Sequence, residues 1–214
     1  MKRILFQGDS ITDVGRSKDR DLDLQKIADV NMGYGYATLV ADTLLYENPG
    51  EYEFFNRGIS GNRIVDLYAR IKRDIINIRP DIMSILIGVN GVLHDNPEQN
   101  GVDAEKYYKI YSMLIEEVKE ALPDIKIMIL EPFVLRCPPC MKDWTYFGGE
   151  TEKRAQKAKM IAEKYDLTFI PLQEKFHEAS KKVGPQYWSA DGVHPSGAGH
   201  ELIKREWLNA FKTL

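Results

Sequence analysis

Three side chains in this 214-residue sequence have the types and the spacing for acyl transfer by a serine. That chemistry needs a nucleophile, a base to take its proton, a group that orients the base, and donors for the developing oxyanion. Ser10 stands just past an apolar run, after Gly8 and Asp9, where a tight turn lifts a hydroxyl clear of a sheet. His194 lies near the other end of the chain, and Asp191 precedes it by three residues. One turn through Asp191-Gly192-Val193-His194 brings the carboxylate to the imidazole Nδ1 and leaves Nε2 for the Ser10 hydroxyl, while Pro195 stiffens the exit. Each piece has a plainer role when taken alone. A serine after Gly-Asp is commonly a turn or capping residue, and Asp-x-x-His is commonly a surface turn or half of a metal site. Together, at strand ends of an alternating chain, they read as a triad.

The elements that must position them follow from periodicity. Lys2 to Gln7 reads as a short buried strand ending at Gly8. Tyr36 to Tyr46 reads as a helix closed by Asn48-Pro49-Gly50, and Glu51 to Asn56 as a returning strand. Ile64, Leu67, Ile71, Ile75 and Ile78 recur at helical spacing and stop before Pro80. Asp81 to Ile87 is a strand that delivers Gly88-Val89-Asn90, and Tyr107 to Ala121 is a helical stripe ended by Pro123. Strand Ile125 to Leu130, helix Thr151 to Tyr165, strand Leu167 to Ile170 and helix Leu172 to Lys182 continue the alternation. Ser196 is the expected N-cap of a last helix reaching Phe211. Strands and helices alternating about five times predict a three-layer α/β/α sandwich on a flavodoxin-like parallel sheet, with residues 1–214 as one domain. Function then collects at the carboxyl ends of the strands. The longest stretch without periodicity, Asp13 to Met32, is polar and is expected as a surface loop bordering the site.

Composition narrows the class. With 29 basic and 32 acidic side chains the net charge is -3, and no basic run could neutralise a track of phosphates, so nucleic acid is not an expected partner. The apolar run after Met1-Lys2-Arg3 stops at Gln7, too short for a secretion signal, and no window is long enough for a membrane span; a cytoplasmic chain without a membrane partner is expected. Cys137 and Cys140 are the only cysteines, which excludes a disulfide framework. Their C-x-x-C spacing has no second pair for zinc, and it reads as a stiff loop after a strand rather than as a redox or metal site.

Four blocks in order make the reading specific. Gly8-Asp9-Ser10-Ile11-Thr12, Asn56-Arg57-Gly58-Ile59-Ser60-Gly61-Asn62, Gly88-Val89-Asn90 and Asp191-Gly192-Val193-His194-Pro195 resemble the first, second, third and fifth blocks of the SGNH (GDSL-like) hydrolases. The resemblance implies the SGNH fold, Ser10, Asp191 and His194 as the triad, and an oxyanion hole made of the Ser10 N–H, the Gly58 N–H and the Asn90 side-chain amide. The third block usually continues with Asp, where this chain has Gly91; Asp95 stands four residues on as the candidate to hold that loop. Val92-Leu93-His94-Asp95 and Tyr187-Trp188-Ser189-Ala190 look most like bacterial carbohydrate acetylesterases, acetylxylan esterases included. Asp9, Tyr187, Trp188 and Trp144 are therefore candidate substrate contacts, with Tyr146 beside Trp144 on the segment from Cys140 to Gly149; core or lid packing is the plainer role for the aromatics. His94 is expected to border the site and His200, in the last helix, to pack or face solvent.

The expected activity is ping-pong ester hydrolysis without cofactor or metal, on a small-molecule ester such as an O-acetylated xylo-oligosaccharide. A lysophospholipase, thioesterase or arylesterase of the same fold is the alternative enzyme, and would need a long apolar groove. A non-catalytic sugar-binding module is the alternative outside enzymes; no Gly-x-x-x-x-Gly-Lys or Gly-x-Gly-x-x-Gly is present to cradle phosphates. Self-association is left open by the sequence.

Overall fold

The computed structural model describes residues 1–18, 32–95 and 98–214. Five strands form a single parallel sheet: β1 (Lys2–Gly8), β2 (Tyr52–Asn56), β3 (Ile82–Leu86), β4 (Lys126–Leu130) and β5 (Thr168–Ile170). Their order is β2-β1-β3-β4-β5. The chain steps outward from β1 to β2 and returns past β1 to β3, so the crevice at the switch of direction opens between the carboxyl ends of β1 and β3.

The helices are α1 (Ser10–Asp13), α2 (Tyr36–Glu47), α3 (Ile64–Ala69), α4 (Ile71–Asp74), α5 (Asn90–Leu93), α6 (Ala104–Ala121), α7 (Pro138–Met141), α8 (Trp144–Tyr165), α9 (Gln173–Val183), α10 (Pro185–Trp188) and α11 (Gly197–Phe211). A parallel sheet must bury both faces, because backbone pairing leaves apolar side chains on each. Ile4 and Phe6 of β1 therefore enter one apolar cluster and Leu5 the other; Ile82 and Leu86 divide in the same way from Met83 and Ile85, and Met128 and Leu130 from Ile127 and Ile129. Val40 and Leu44 of α2 with Ile203 and Trp207 of α11 close the first face. Leu67 of α3, Leu114 and Val118 of α6, and Ile161 of α8 close the second. Each buried aliphatic side chain contributes roughly 1.5–3 kcal/mol. Among the described residues no helix is long and apolar enough to cross a membrane.

The strands lie where periodicity places them, and Ser196 caps α11 through the Gly199 N–H at 3.3 Å. Two helices differ from expectation. The stripe from Ile64 to Ile78 is not one helix but α3, α4 and a 3₁₀ turn (Ile76–Ile78), broken at Arg70, whose side chain turns toward the carboxyl edge of the sheet. Helix α8 begins at Trp144 instead of Thr151 and runs through Gly148 and Gly149, a pair that costs about 1 kcal/mol per residue relative to alanine. Of the expected surface loop, residues 19–31 lie outside the described residues; Asp13 and Met32 at its ends are buried.

Candidate active site

Ser10 sits where β1 ends against β3. A Cβ on Gly8 would lie 2.5 Å from the Leu86 carbonyl, so only glycine permits this approach. Asp9 caps α1, its Oδ1 accepting the Ile11 N–H at 3.0 Å, which makes Ser10 the first helical residue. Its N–H thus belongs to the first turn, whose donors have no intrahelical acceptor. Burial pushes the Asp9 carboxyl up to about 7, against the opposing pull of the Ile11 N–H and of His194. Asp9 is buried against α1, which makes it part of the frame rather than a surface offered to a substrate.

Ser10 and His194, 184 residues apart in sequence, meet: Ser10 Oγ lies 2.9 Å from His194 Nε2. His194 Nδ1 lies 2.6 Å from Asp191 Oδ2. The second carboxylate oxygen, Oδ1, accepts the backbone N–H of His194 at 2.8 Å and of Val193 at 2.9 Å, and the Ser189 hydroxyl at 3.2 Å. Burial raises the Asp191 carboxyl, but the His194 ring and the two N–H donors outweigh it and hold the group below the usual carboxylate range. Asp191 is therefore ionised at neutral pH and suited to orienting an imidazole and stabilising an imidazolium.

The segment after β4 braces this turn. The Leu135 N–H donates to Gly192 O at 2.8 Å, the Cys137 thiol to Ser189 O at 3.0 Å and the Cys140 thiol to Asp191 O at 3.1 Å. Gly192, at φ 89°, is forced by closeness, since a Cβ there would lie 2.3 Å from Leu135 O. The Cys-Pro-Pro-Cys segment is thus a support for the Asp191 turn; both thiols are pushed up by burial and the Asp191 charge, which makes them poor nucleophiles.

The loop after β2 is fastened to α1. Asn56 Nδ2 donates to Thr12 O at 2.6 Å, Asp13 Oδ2 accepts Ser60 N at 2.9 Å and Ser60 Oγ at 2.7 Å, and Ile59 N donates to Gly8 O at 3.1 Å. Arg16 Nε reaches Gly58 O at 2.5 Å. Here one expectation is corrected. The Gly58 N–H donates to Asn56 Oδ1 at 2.9 Å, and a Cβ on Gly58 would lie 2.5 Å from the Asp13 N, so Gly58 is buried in the loop's own fastening. Gly61, three residues on, is partly exposed at φ 80°, and among the described residues no acceptor takes its N–H. Asn90, the first residue of α5, donates from Nδ2 to Asn62 O at 3.1 Å and so joins the β3 edge to the Asn62-Arg63 peptide, one peptide beyond Gly61. One of its two amide hydrogens remains for another acceptor.

Behind these loops lies a residue that the helical periodicity hid. Arg70 donates to Arg57 O at 2.9 Å, Asn62 Oδ1 at 2.9 Å and Gly8 O at 3.5 Å, and pairs with Asp74 Oδ2 at 3.0 Å. Gln7 Nε2 reaches Asp74 O at 2.8 Å from β1. Burial raises Asp74, but the guanidinium groups of Arg73 and Arg70 hold it below the usual carboxylate range.

Gly91 packs against Val102, whose N–H donates to Gly91 O at 2.9 Å. Arg154 secures Val102 O at 2.6 Å from the other side, and its Nε, buried 3.6 Å from where a Gly91 Cβ would stand, has no hydrogen-bond partner. A carboxylate at position 91 would stand beside that Nε. Asp95 does not take its place, because its Oδ2 accepts the Tyr146 hydroxyl.

The aromatic candidates separate. Trp188 packs on the core cluster of the α2 and α11 face with its Nε1 buried and unpartnered, and Tyr187 is exposed on α10, edge-on to it at 5.3 Å. Trp144 instead packs, half-buried, on a small cluster with Val89, Val134 and Val193, the neighbours of Asn90 and His194. A Cβ on Gly61 would meet His94 Cε1 at 4.0 Å, which puts His94 beside that loop. His200 is buried, accepts the Tyr36 N–H at 3.2 Å, and is pushed down to about 4 by burial, so it packs. Among the described residues no group of three His, Cys, Asp or Glu side chains could hold a metal.

The family model of the GDSL-like lipase/acylhydrolases matches residues 6–202. An acetylxylan esterase of Geobacillus stearothermophilus is 33% identical over 217 residues, 97% of this chain and 92% of the relative. The crystal structure of that enzyme, Axe2, superposes with a TM-score of 0.86 at 31% identity, covering 98% and 93% of the two chains. A GDSL-like protein of Parabacteroides merdae superposes with a TM-score of 0.88 at 34% identity, covering 98% and 94%. Solved forms of Axe2 include catalytic mutants at a serine, an aspartate and a histidine.

Proposed function

From the premise that this chain belongs to the GDSL-like lipase/acylhydrolase family and is a carboxylic ester hydrolase, we propose that it removes acetyl groups from neutral carbohydrate esters such as acetylated xylo-oligosaccharides. The observation that carries the mechanism is the relay of two hydrogen bonds, Ser10 Oγ to His194 Nε2 at 2.9 Å and His194 Nδ1 to Asp191 Oδ2 at 2.6 Å. His194 takes the Ser10 proton as Oγ attacks the acyl carbonyl, and Asp191 stabilises the imidazolium. The oxyanion is received by the N–H of Ser10, the N–H of Gly61 in place of Gly58, and the Asn90 amide. The tetrahedral intermediate collapses as His194 returns the proton to the sugar oxygen, which leaves as the alcohol. Water, deprotonated by the same imidazole, then releases acetate from the acyl-enzyme.

The acetylxylan esterase relative supports the acetyl and sugar reading. A lysophospholipase or thioesterase would need a long apolar groove; among the described residues the apolar wall beside Asn90 and His194 is a small cluster of Val89, Val134, Cys140 and Val193 with Leu93 and Trp144 packed against it. We place the work in the cytoplasm, on oligosaccharides already taken up.

The test is a chain-length series of chromogenic esters from acetate to decanoate run beside acetylated xylo-oligosaccharides. Acetate should be the best ester, and Ser10→Ala, with its fold intact by circular dichroism, should lose at least about 10⁴-fold in kcat. Preference for decanoate would overturn the acetyl reading, and retained activity in Ser10→Ala would overturn the mechanism.

A further inference from the structure

We propose that a cleft at the β4 and β5 end of the same sheet edge holds the sugar backbone of the ester while its acyl group lies at Ser10; the proposal rests on the carbohydrate reading above. The cleft has a volume of about 610 Å³, within the usual range of small-molecule sites. Glu131 directly follows β4 and Gln173 lies three residues past β5, so the cleft opens at the carboxyl edge that also carries Ser10 and Asn90. Its wall at Val134 belongs to the apolar cluster that includes Val193 beside His194 and Val89 beside Asn90. The cleft wall is therefore packed against the residues next to His194 and Asn90.

The lining suits neutral sugar rings. Trp144 lines the cleft with its ring, over which Arg136 Cζ lies 5.9 Å from the centroid, and Glu131, Glu152, Glu174 and His177 supply groups for ring hydroxyls. Three carboxylates disfavour a phosphate-bearing ligand such as an acyl carrier or a phospholipid. The rim is pre-set: Glu131 Oε2 accepts the Leu172 and Gln173 N–H groups at 2.6 and 2.8 Å, and Gln173 both accepts from and donates to the Val134 backbone at 3.1 Å. The glycine pair in α8 gains a purpose. A Cβ on Gly148 would lie 3.1 Å from the Trp144 ring, while one on Gly149 would meet nothing within 4 Å and would project into open space. A helix that accepts glycine where any side chain fits is keeping that space clear.

Gly149→Leu fills the cleft without strain and favours the helix, so it should fold; Trp144→Ala removes the platform. Two measurements decide: calorimetric binding of unacetylated xylotetraose, and kcat/KM for acetylated xylotetraose against a chromogenic acetate. We expect the wild type to bind xylotetraose and each variant to lose at least about 10-fold in binding and in kcat/KM on the acetylated tetraose, with the chromogenic acetate unchanged within about 2-fold in Gly149→Leu. If the wild type deacetylates the tetraose and neither variant alters binding or rate, the subsite is wrong while the carbohydrate reading stands. If the wild type cleaves the chromogenic acetate but not the acetylated tetraose, both fall.

Discussion

Ser10 and the loop after β2 are fixed by the buried Asp74–Arg70 pair, by the Arg70 donors to Arg57 and Asn62, and by the loop's own N–H groups on the β1 carbonyls of Phe6 and Gly8, whereas Asp191 and His194 ride on a turn whose side chains are 42% and 54% exposed and which is held from one side by thiols and a single N–H. The first region is continuous with the sheet: Asp74 takes Gln7 from β1 and Arg70 from behind the loops, so its geometry is part of the folding equilibrium. The second is a local clamp. A hydroxyl that attacks and the donors that receive the oxyanion must keep one geometry, while an imidazole that takes and returns a proton must reorient slightly between steps. Under the proposed mechanism, the division of rigidity follows that division of labour.

The sharpest way to break the comparison is Arg70→Met. It removes donors from Gly8 O, Arg57 O and Asn62 Oδ1 and halves the cationic partners of Asp74, which keeps Arg73 at 2.9 Å. Stability should fall by about 3 kcal/mol, as for a broken buried ion pair, and kcat by roughly 10–100-fold with KM nearly unchanged, because Arg70 positions the donor loop and touches no substrate. Arg70→Lys should recover part of the stability and little of kcat, since an ammonium cannot span three acceptors with a fixed fork. Urea melts and steady-state kinetics check both. Full kcat in a destabilised but folded Arg70→Met enzyme would mean that the loops hold their own geometry.

On the other side, Cys137→Ala with Cys140→Ala removes only weak S–H donors to Ser189 O and Asp191 O. Leu135 N–H and Ser189 Oγ still hold the turn through Gly192. The expected loss is about 2–5-fold in kcat and roughly 1–2 kcal/mol in stability, measured by the same assays. A loss beyond about 100-fold would show that the exposed turn is as dependent on its support as the buried loops are, and the contrast would fail.

Legibility in the sequence depended on whether the signal was local. Strands of apolar residues bounded by glycine and proline were legible, and so was the meeting of Ser10 with the Asp191 turn, because each lies within two residues of a strand end or a tight turn. The difference between Gly58 and Gly61 was not: both are glycines in one loop, and only the packing of Gly58 on Thr12 and Asp13 and the bond from its N–H to Asn56 Oδ1 tell them apart. Arg70 was hidden because its apolar neighbours Leu67 and Ile71 fit an unbroken helix, and its side chain at the break meets acceptors on two other segments, the end of β1 and the loop after β2. Trp188 and Trp144 look alike as residue types; burial of one indole N–H in the core and the opening beside the other are tertiary facts. The start of α8 at Trp144 rather than Thr151 was not legible either, because propensity counts the cost of Gly148 and Gly149 and not the space around them.

The smallest effect expected separates burial from charge within the rigid region itself. Asp9 is 1% exposed and its carboxyl is pushed up to about 7 by burial, from an ordinary value near 3.8. Between those two values the unfolded chain has released the proton and the folded one keeps it, so this residue's contribution to stability is complete below about 3.8, falls as the pH rises, and levels off above about 7. Asp13, Asp74 and Asp191, all held below the usual range, act in the opposite sense at lower pH, so the wild-type curve alone cannot isolate Asp9. Asp9→Asn can, because the amide oxygen still caps the Ile11 N–H while the ionisation is gone. In thermal melts across pH 4 to 9, the variant's Tm relative to wild type should rise from pH 4 to about 7 and then stay flat, with the advantage lying at the alkaline end. A difference that does not change with pH would mean the folded protein hydrates this carboxyl, and the region around Ser10 would then owe its rigidity to the hydrogen bonds of Asn56, Asp13 and Arg70 rather than to exclusion of water.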